Sequence, residues 1–157
     1  MVDIQTISVT VASAGVFAAA IYYIFQIRHQ TRLRQTELVS SLYSTVKTRE
    51  YMEAWEKFKT TEIAKDLHEY RKKHGLVELN MVLTLYDQVG VLLRRKLIDV
   101  GLVQDFFGPT VIDIWEKLKP LFKNEEEQTG KPHVYQAIEY LYSEMKKREQ
   151  KLQQSKG

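Results

Sequence analysis

A chain of 157 residues with 23 Lys and Arg against 20 Asp and Glu carries a formal net charge of only +3, which argues against the concentrated basic face of a nucleic-acid binder. The absence of cysteine excludes disulfides, thiolate metal sites and a cysteine nucleophile. Setting aside one apolar N-terminal stretch leaves about 120 residues, one domain's worth and enough to bury a core.

That stretch is residues 4–27, which holds no charged side chain between Asp3 and Arg28. About 20 predominantly apolar residues cross a bilayer core of roughly 30 Å. Gln5, Thr6, Ser8, Thr10, Ser13 and Gln26 dilute its apolarity, but a soluble helix of this length would carry a charged stripe. A cleaved signal peptide would begin with positive charge and have a shorter apolar core, whereas the charged residue before this stretch is Asp3. The pattern predicts a short outer tail (residues 1–3) and a transmembrane helix (residues 4–27). Arg28, Arg32 and Arg34 follow it, with Tyr22 and Tyr23 where an interfacial aromatic belt would lie. Basic flanks stay inside, so the expected topology in the cell membrane is single-pass, N-terminus out and C-terminal domain cytoplasmic. The basic cluster also suits anionic lipid, at about 1 kcal/mol per basic residue near the surface.

Ser8, Ala12, Gly15 and Ala19 share one face of the span, where small residues let helices approach closely in lipid. They are the candidate packing residues for self-association or for docking another membrane protein. The helical pattern runs on through a juxtamembrane segment, residues 28–47, with Leu38, Val39, Leu42, Tyr43 and Val46 apolar. No Gly or Pro intervenes, so one long helix is expected, straight or gently bent near residues 30–34.

A helical domain is expected over residues 48–146. Thr48 suits an N-cap for a helix bearing Tyr51, Met52, Trp55 and Phe58. Thr60 or Thr61 is expected to cap the next, with Ile63, Ala64, Leu67 and Tyr70, which Gly75 ends behind the basic residues 71–74. Residues 76–98 give the strongest helical pattern, with Val82, Leu85, Tyr86, Val89, Leu92 and Leu93 on one broad face. Asn80, Thr84, Asp87 and Arg94 form a polar strip expected to be solvated, and Gly90 suits a close helix crossing. Asp99 is expected to cap a short helix over residues 100–107, which Gly108-Pro109 stops. A following helix with Val111, Ile112, Trp115 and Leu118 should end or kink at Pro120. Residues 123–131 read as a loop. Pro132 is expected to open a last helix with Tyr135, Ile138, Leu141, Tyr142 and Met145, before a fraying polar tail, residues 147–157. No segment alternates with period two, so the fold class is all-α, the span continuing into a bundle of about five to six helices. Trp55, Tyr86, Leu92, Phe106, Trp115 and Leu141 are the expected core anchors.

Chemistry is hard to place. None of the four histidines, at 29, 68, 74 and 133, has a Glu three residues before it, and no His-Glu-x-x-His, phosphate-binding glycine loop or Gly-x-Ser-x-Gly occurs. Glu125, Glu126 and Glu127 read as a solvated run, and Asp113, Glu139 and Glu144 could meet only through tertiary folding. No catalytic residue, metal site, cofactor or small-molecule ligand is identified.

The stretch Leu92-Leu-Arg-Arg-Lys-Leu-Ile-Asp-Val-Gly-Leu-Val-Gln-Asp-Phe-Phe-Gly108, then Trp115-Glu-Lys-Leu-Lys-Pro120 and Tyr140-Leu-Tyr142, resembles an uncharacterised family of small bacterial and archaeal proteins, classed only as a domain of unknown function. The resemblance implies one N-terminal span and a helical cytoplasmic domain. It carries no activity. The expected function is a single-pass, self-associating scaffold or interaction protein rather than an enzyme. The alternatives are an accessory subunit of a membrane complex, or a small homo-oligomeric pore in which Thr6, Ser13 and Gln26 form a thin polar face.

Overall fold

The computed structural model describes residues 3–64 and 66–154, except for the side chains of Gln5 and Thr6. Met1 and Val2 of the expected tail, the Thr6 side chain of the thin polar face, and residues 155–157 lie outside that description. The described residues contain six helices and no strand: α1 (Ile4–Val46), α2 (Arg49–Thr60), α3 (Leu67–His74), α4 (Val77–Arg94), α5 (Val100–Thr129) and α6 (Gln136–Gln154). They fall into two compact units divided between Thr36 and Glu37, so α1 contributes to both.

The first unit is helix alone. From residue 7 to residue 34 every side chain is exposed. Two of its hydroxyls bond within the helix: Ser13 donates to the Val9 carbonyl at 2.8 Å and Thr31 to that of Ile27 at 2.9 Å. Such back-bonding removes much of the cost of a hydroxyl in an apolar medium.

The second unit is a helical bundle. Val39 of α1 is fully buried, and Leu42, Tyr43 and Val46 pack beside it. Thr48 caps α2, its hydroxyl accepting from the Tyr51 N–H at 3.3 Å, and Tyr51, Ala54 and Phe58 turn inward. The next cap differs from expectation. Thr61 ends α2 rather than starting a helix, and α3 begins at Leu67 under Asp66, whose carboxylate accepts from the Glu69 N–H at 2.7 Å. Asp is the stronger cap, and it leaves Ile63 and Ala64 outside the helix but half-buried. Gly75 ends α3 with φ +76°, a conformation that a side chain would resist.

Helix α4 is the hub, packing against α2, α5 and α6. Its polar strip is not wholly solvated. Asp87 accepts from the Ile138 N–H at 3.2 Å and so caps the first turn of α6, while Asn80 accepts from the Tyr135 hydroxyl at 2.9 Å. After α4, the N–H groups of Leu97 and Lys96 reach back to the carbonyls of Leu92 and Leu93, with Lys96 at φ +58° in the position where glycine is favoured.

The largest departure is α5. Helix runs unbroken through Gly108-Pro109, through Pro120 and through the expected loop at residues 123–131 as far as Thr129. Both prolines are exposed, as are Asp105 and Glu116, whose carbonyls lose their helical partners, so water can serve them. The inward face stays apolar across both sites, from Phe107 through Val111, Ile114, Trp115 and Leu118 to Phe122, and tertiary packing outweighs the local penalty. The last turns hold by local pairs: Lys123 with Glu127 at 3.9 Å and Gln128 with Asn124 at 3.0 Å. Gly130, at φ +65°, ends the helix. Pro132 therefore lies in a loop, and α6 starts at Gln136. The expected tail is helical through Gln154, and just before it Lys146 fastens α6 to α5 through Glu116 at 2.8 Å. Lys117 ties α5 to α2, donating to the carbonyls of Phe58 and Lys59 at 2.8 and 3.0 Å, where a cation suits a helix C-terminus.

Candidate functional site

Among the described residues, α1 is the one helix long and apolar enough to cross a membrane. Ser8, Ala12, Gly15 and Ala19 are all exposed and lie within an arc of about 60° at the helical repeat. A methyl group built on Gly15 would meet nothing within 4 Å, so this face is open to a neighbour. Tyr22 and Tyr23 are exposed, as are Arg28, Arg32 and Arg34. Val16, Phe17, Ile21 and Ile24 of α1 are each at least half exposed.

The expected core anchors divide. Tyr86, Trp115 and Leu141 are fully buried, whereas Trp55 and Leu92 are half-buried. Phe106 is not a core residue. It is 37% exposed, because Phe107 takes the inward position at that turn of α5.

Two of the hollows in the second unit are lined by aromatic side chains. The first, of about 370 Å³, is an aromatic cup where the end of α1 meets α2, α4 and α5. The Tyr43 ring meets Phe106 and Phe107 edge-on at 5.1 and 5.7 Å, and Tyr86 meets Phe107 at 5.9 Å. Burial pushes the Tyr86 phenol far above its usual range, with Tyr51 and Tyr43 adding to the effect. Burial likewise raises Tyr51, partly offset by the nearby Tyr86 phenol. The Tyr51 hydroxyl has no hydrogen bond of standard geometry and is closed to water. Sequence reasoning missed this cup. Its signal was aromatic residues spread over four helices, each of which reads separately as core.

The second hollow, of about 440 Å³, lies beside His133. That residue is 7% exposed, its ring 5.4 and 5.3 Å from those of Trp115 and Phe122. Its Nε2 lies 3.5 Å from Glu139 and 3.8 Å from Glu126, and its backbone N–H donates to Glu126 at 3.0 Å. The contacts hold residues 130–135 against α5. No group of three His, Cys, Asp or Glu among the described residues could hold a metal ion. Of the carboxylates that folding might have joined, Glu144 pairs with Lys147 at 2.8 Å, Glu139 faces His133 and Asp113 is exposed. Glu125, Glu126 and Glu127 sit on α5 rather than in a loop.

No match was found among curated proteins or among solved structures. A family model described as a domain of unknown function, DUF4760, matches residues 9–145, and the chain belongs to that family.

Proposed function

We propose that the protein is a single-pass, membrane-anchored helical interaction module that self-associates through its span and has no catalytic activity of its own. The observation that carries this reading is the uncovered apolar surface of α1: side chains such as Val9, Val16 and Phe17 are 67–70% exposed with no charge among them. An apolar face this extensive is not kept in water and calls for lipid. The interface residues Tyr22, Tyr23, Arg28, Arg32 and Arg34 suit one orientation, N-terminus outside and the bundle in the cytoplasm. Self-association draws support from the open small-residue face at Ser8, Ala12, Gly15 and Ala19.

The test is the mass of the full chain in mild detergent, micelle subtracted. A discrete multiple of 18.4 kDa is expected, falling to one copy when Gly15→Leu and Ala19→Leu block the small-residue face. A monomeric parent chain would contradict self-association and point to a foreign membrane partner. An oligomer that survives both substitutions would move the interface off this face.

A further inference from the structure

We propose that the aromatic cup of the second unit is a binding site for a small aromatic monocarboxylate. Its volume, about 370 Å³, is within the range of small-ligand sites, which are concave, mostly apolar and carry few polar groups. Six of its lining side chains are aromatic, so a flat ring entering it meets ring edges and faces.

Charge selects the anion. Lys47 is the one charged residue lining the cup, and no carboxylate lines it. The Lys47 ammonium is held over the Tyr43 ring, 5.4 Å from its centre, and among the described residues it has no carboxylate within ion-pair distance. Its neighbour Arg49 is by contrast engaged by Glu53 at 2.7 Å. An ammonium resting over the wall of the cup, with no carboxylate within ion-pair distance, is what a carboxylate on a ring would meet. Packing also marks the cup as more than a gap. Phe106 and Met52, 37% and 57% exposed, are apolar groups left facing water around it.

The full chain in zwitterionic nanodiscs would be titrated with 2-naphthoate by calorimetry. One saturable site per chain is expected. The Lys47→Gln variant should bind about fivefold more weakly, the scale of one exposed ion pair, and neutral 2-naphthamide should bind the parent protein as weakly. Lys47 is exposed, so its loss should leave the fold intact. Thr110→Trp, which fills the cup, should abolish binding. No saturable heat would overturn the proposal. Equal binding of acid and amide, or no effect of Lys47→Gln, would overturn the anion assignment. Failure of 2-naphthoate to bind, with Thr110→Trp lowering the oligomer's mass, would assign the cup to a side chain of a second copy instead.

Discussion

Two arginines in the middle of the span, Val16→Arg with Ala20→Arg, are expected to release the protein from the membrane. Both positions are exposed and lie in the uncharged part of α1. Each arginine at a span's centre costs about 2.5 to 3.5 kcal/mol, so the pair costs about 5 to 7 kcal/mol. The span is only moderately apolar, with Gln5, Thr6, Ser8, Thr10, Ser13 and Gln26 already in it, and has little reserve against such a penalty. Flotation with liposomes is the readout: the parent chain should rise with the lipid and the variant should stay with the soluble fraction or precipitate. The bundle holds its own core, so the soluble variant should keep its helical circular dichroism. Flotation of the double variant at the parent's level would show that lipid does not contact this helix face.

Gly90→Ala should be the most damaging single-methyl change in the bundle. A methyl group at Gly90 would lie 2.1 Å from the Ala137 carbonyl oxygen and 2.5 Å from its carbon. Both atoms are backbone, so no rotamer change relieves the overlap. Two effects oppose each other. Alanine is favoured over glycine inside a helix by about 1 kcal/mol, while overpacking costs about 1 to 3 kcal/mol and sits at the upper end when backbone must move. Overpacking wins by about 2 kcal/mol, which lowers the melting temperature by roughly 8 °C for a domain of this size. The displacement would also strain the Asp87 bond to the Ile138 N–H, the next fastening of α6 to α4. Gly108→Ala is the comparison. The three atoms nearest its methyl would all belong to the end of the Gln104 side chain, the closest at 2.4 Å, and that chain can swing away. It should melt within a few degrees of the parent. If the two variants melted together, the close crossing of α4 and α6 would not be where the bundle is tightest.

Features encoded locally were legible before the fold was known. An uncharged run beside three arginines needs no tertiary context. Thr48, Asp99 and Gly75 act on the chain within four residues of themselves, and each sits at a helix end. The close crossing could be anticipated from Gly90, because glycine inside a strong helical pattern has few other uses. Features set by packing were not legible. Pro109 and Pro120 have the same local chemistry whether they stop a helix or ride on its wet side. Only the continuous buried face from Phe107 to Phe122 decides between these, and its register depends on α4 and α6. The acidic run at Glu125 looked like a loop, but Lys123, Asn124 and Gln128 supply helical pairs that a composition argument overlooks. Asp87 looked solvated because its partner, the Ile138 N–H, is 51 residues away in the chain. Phe106 and Phe107 are adjacent and equally apolar, and a turn of about 100° separates the lip of the cup from the core. The cup itself is assembled from four helices, and no one of them announces it.

The proposed membrane anchor is tested most directly by depth. The chain has no cysteine, so Phe17→Cys can carry a single nitrobenzoxadiazole label with no background. In reconstituted liposomes the label should emit at the blue-shifted wavelength of a lipid environment and resist reduction by added dithionite. A companion label at Met81→Cys, an exposed position on α4, should emit as in water. A label at residue 17 that emits as in water and is quenched at once by dithionite would contradict the account, because that side chain would then lie outside the bilayer.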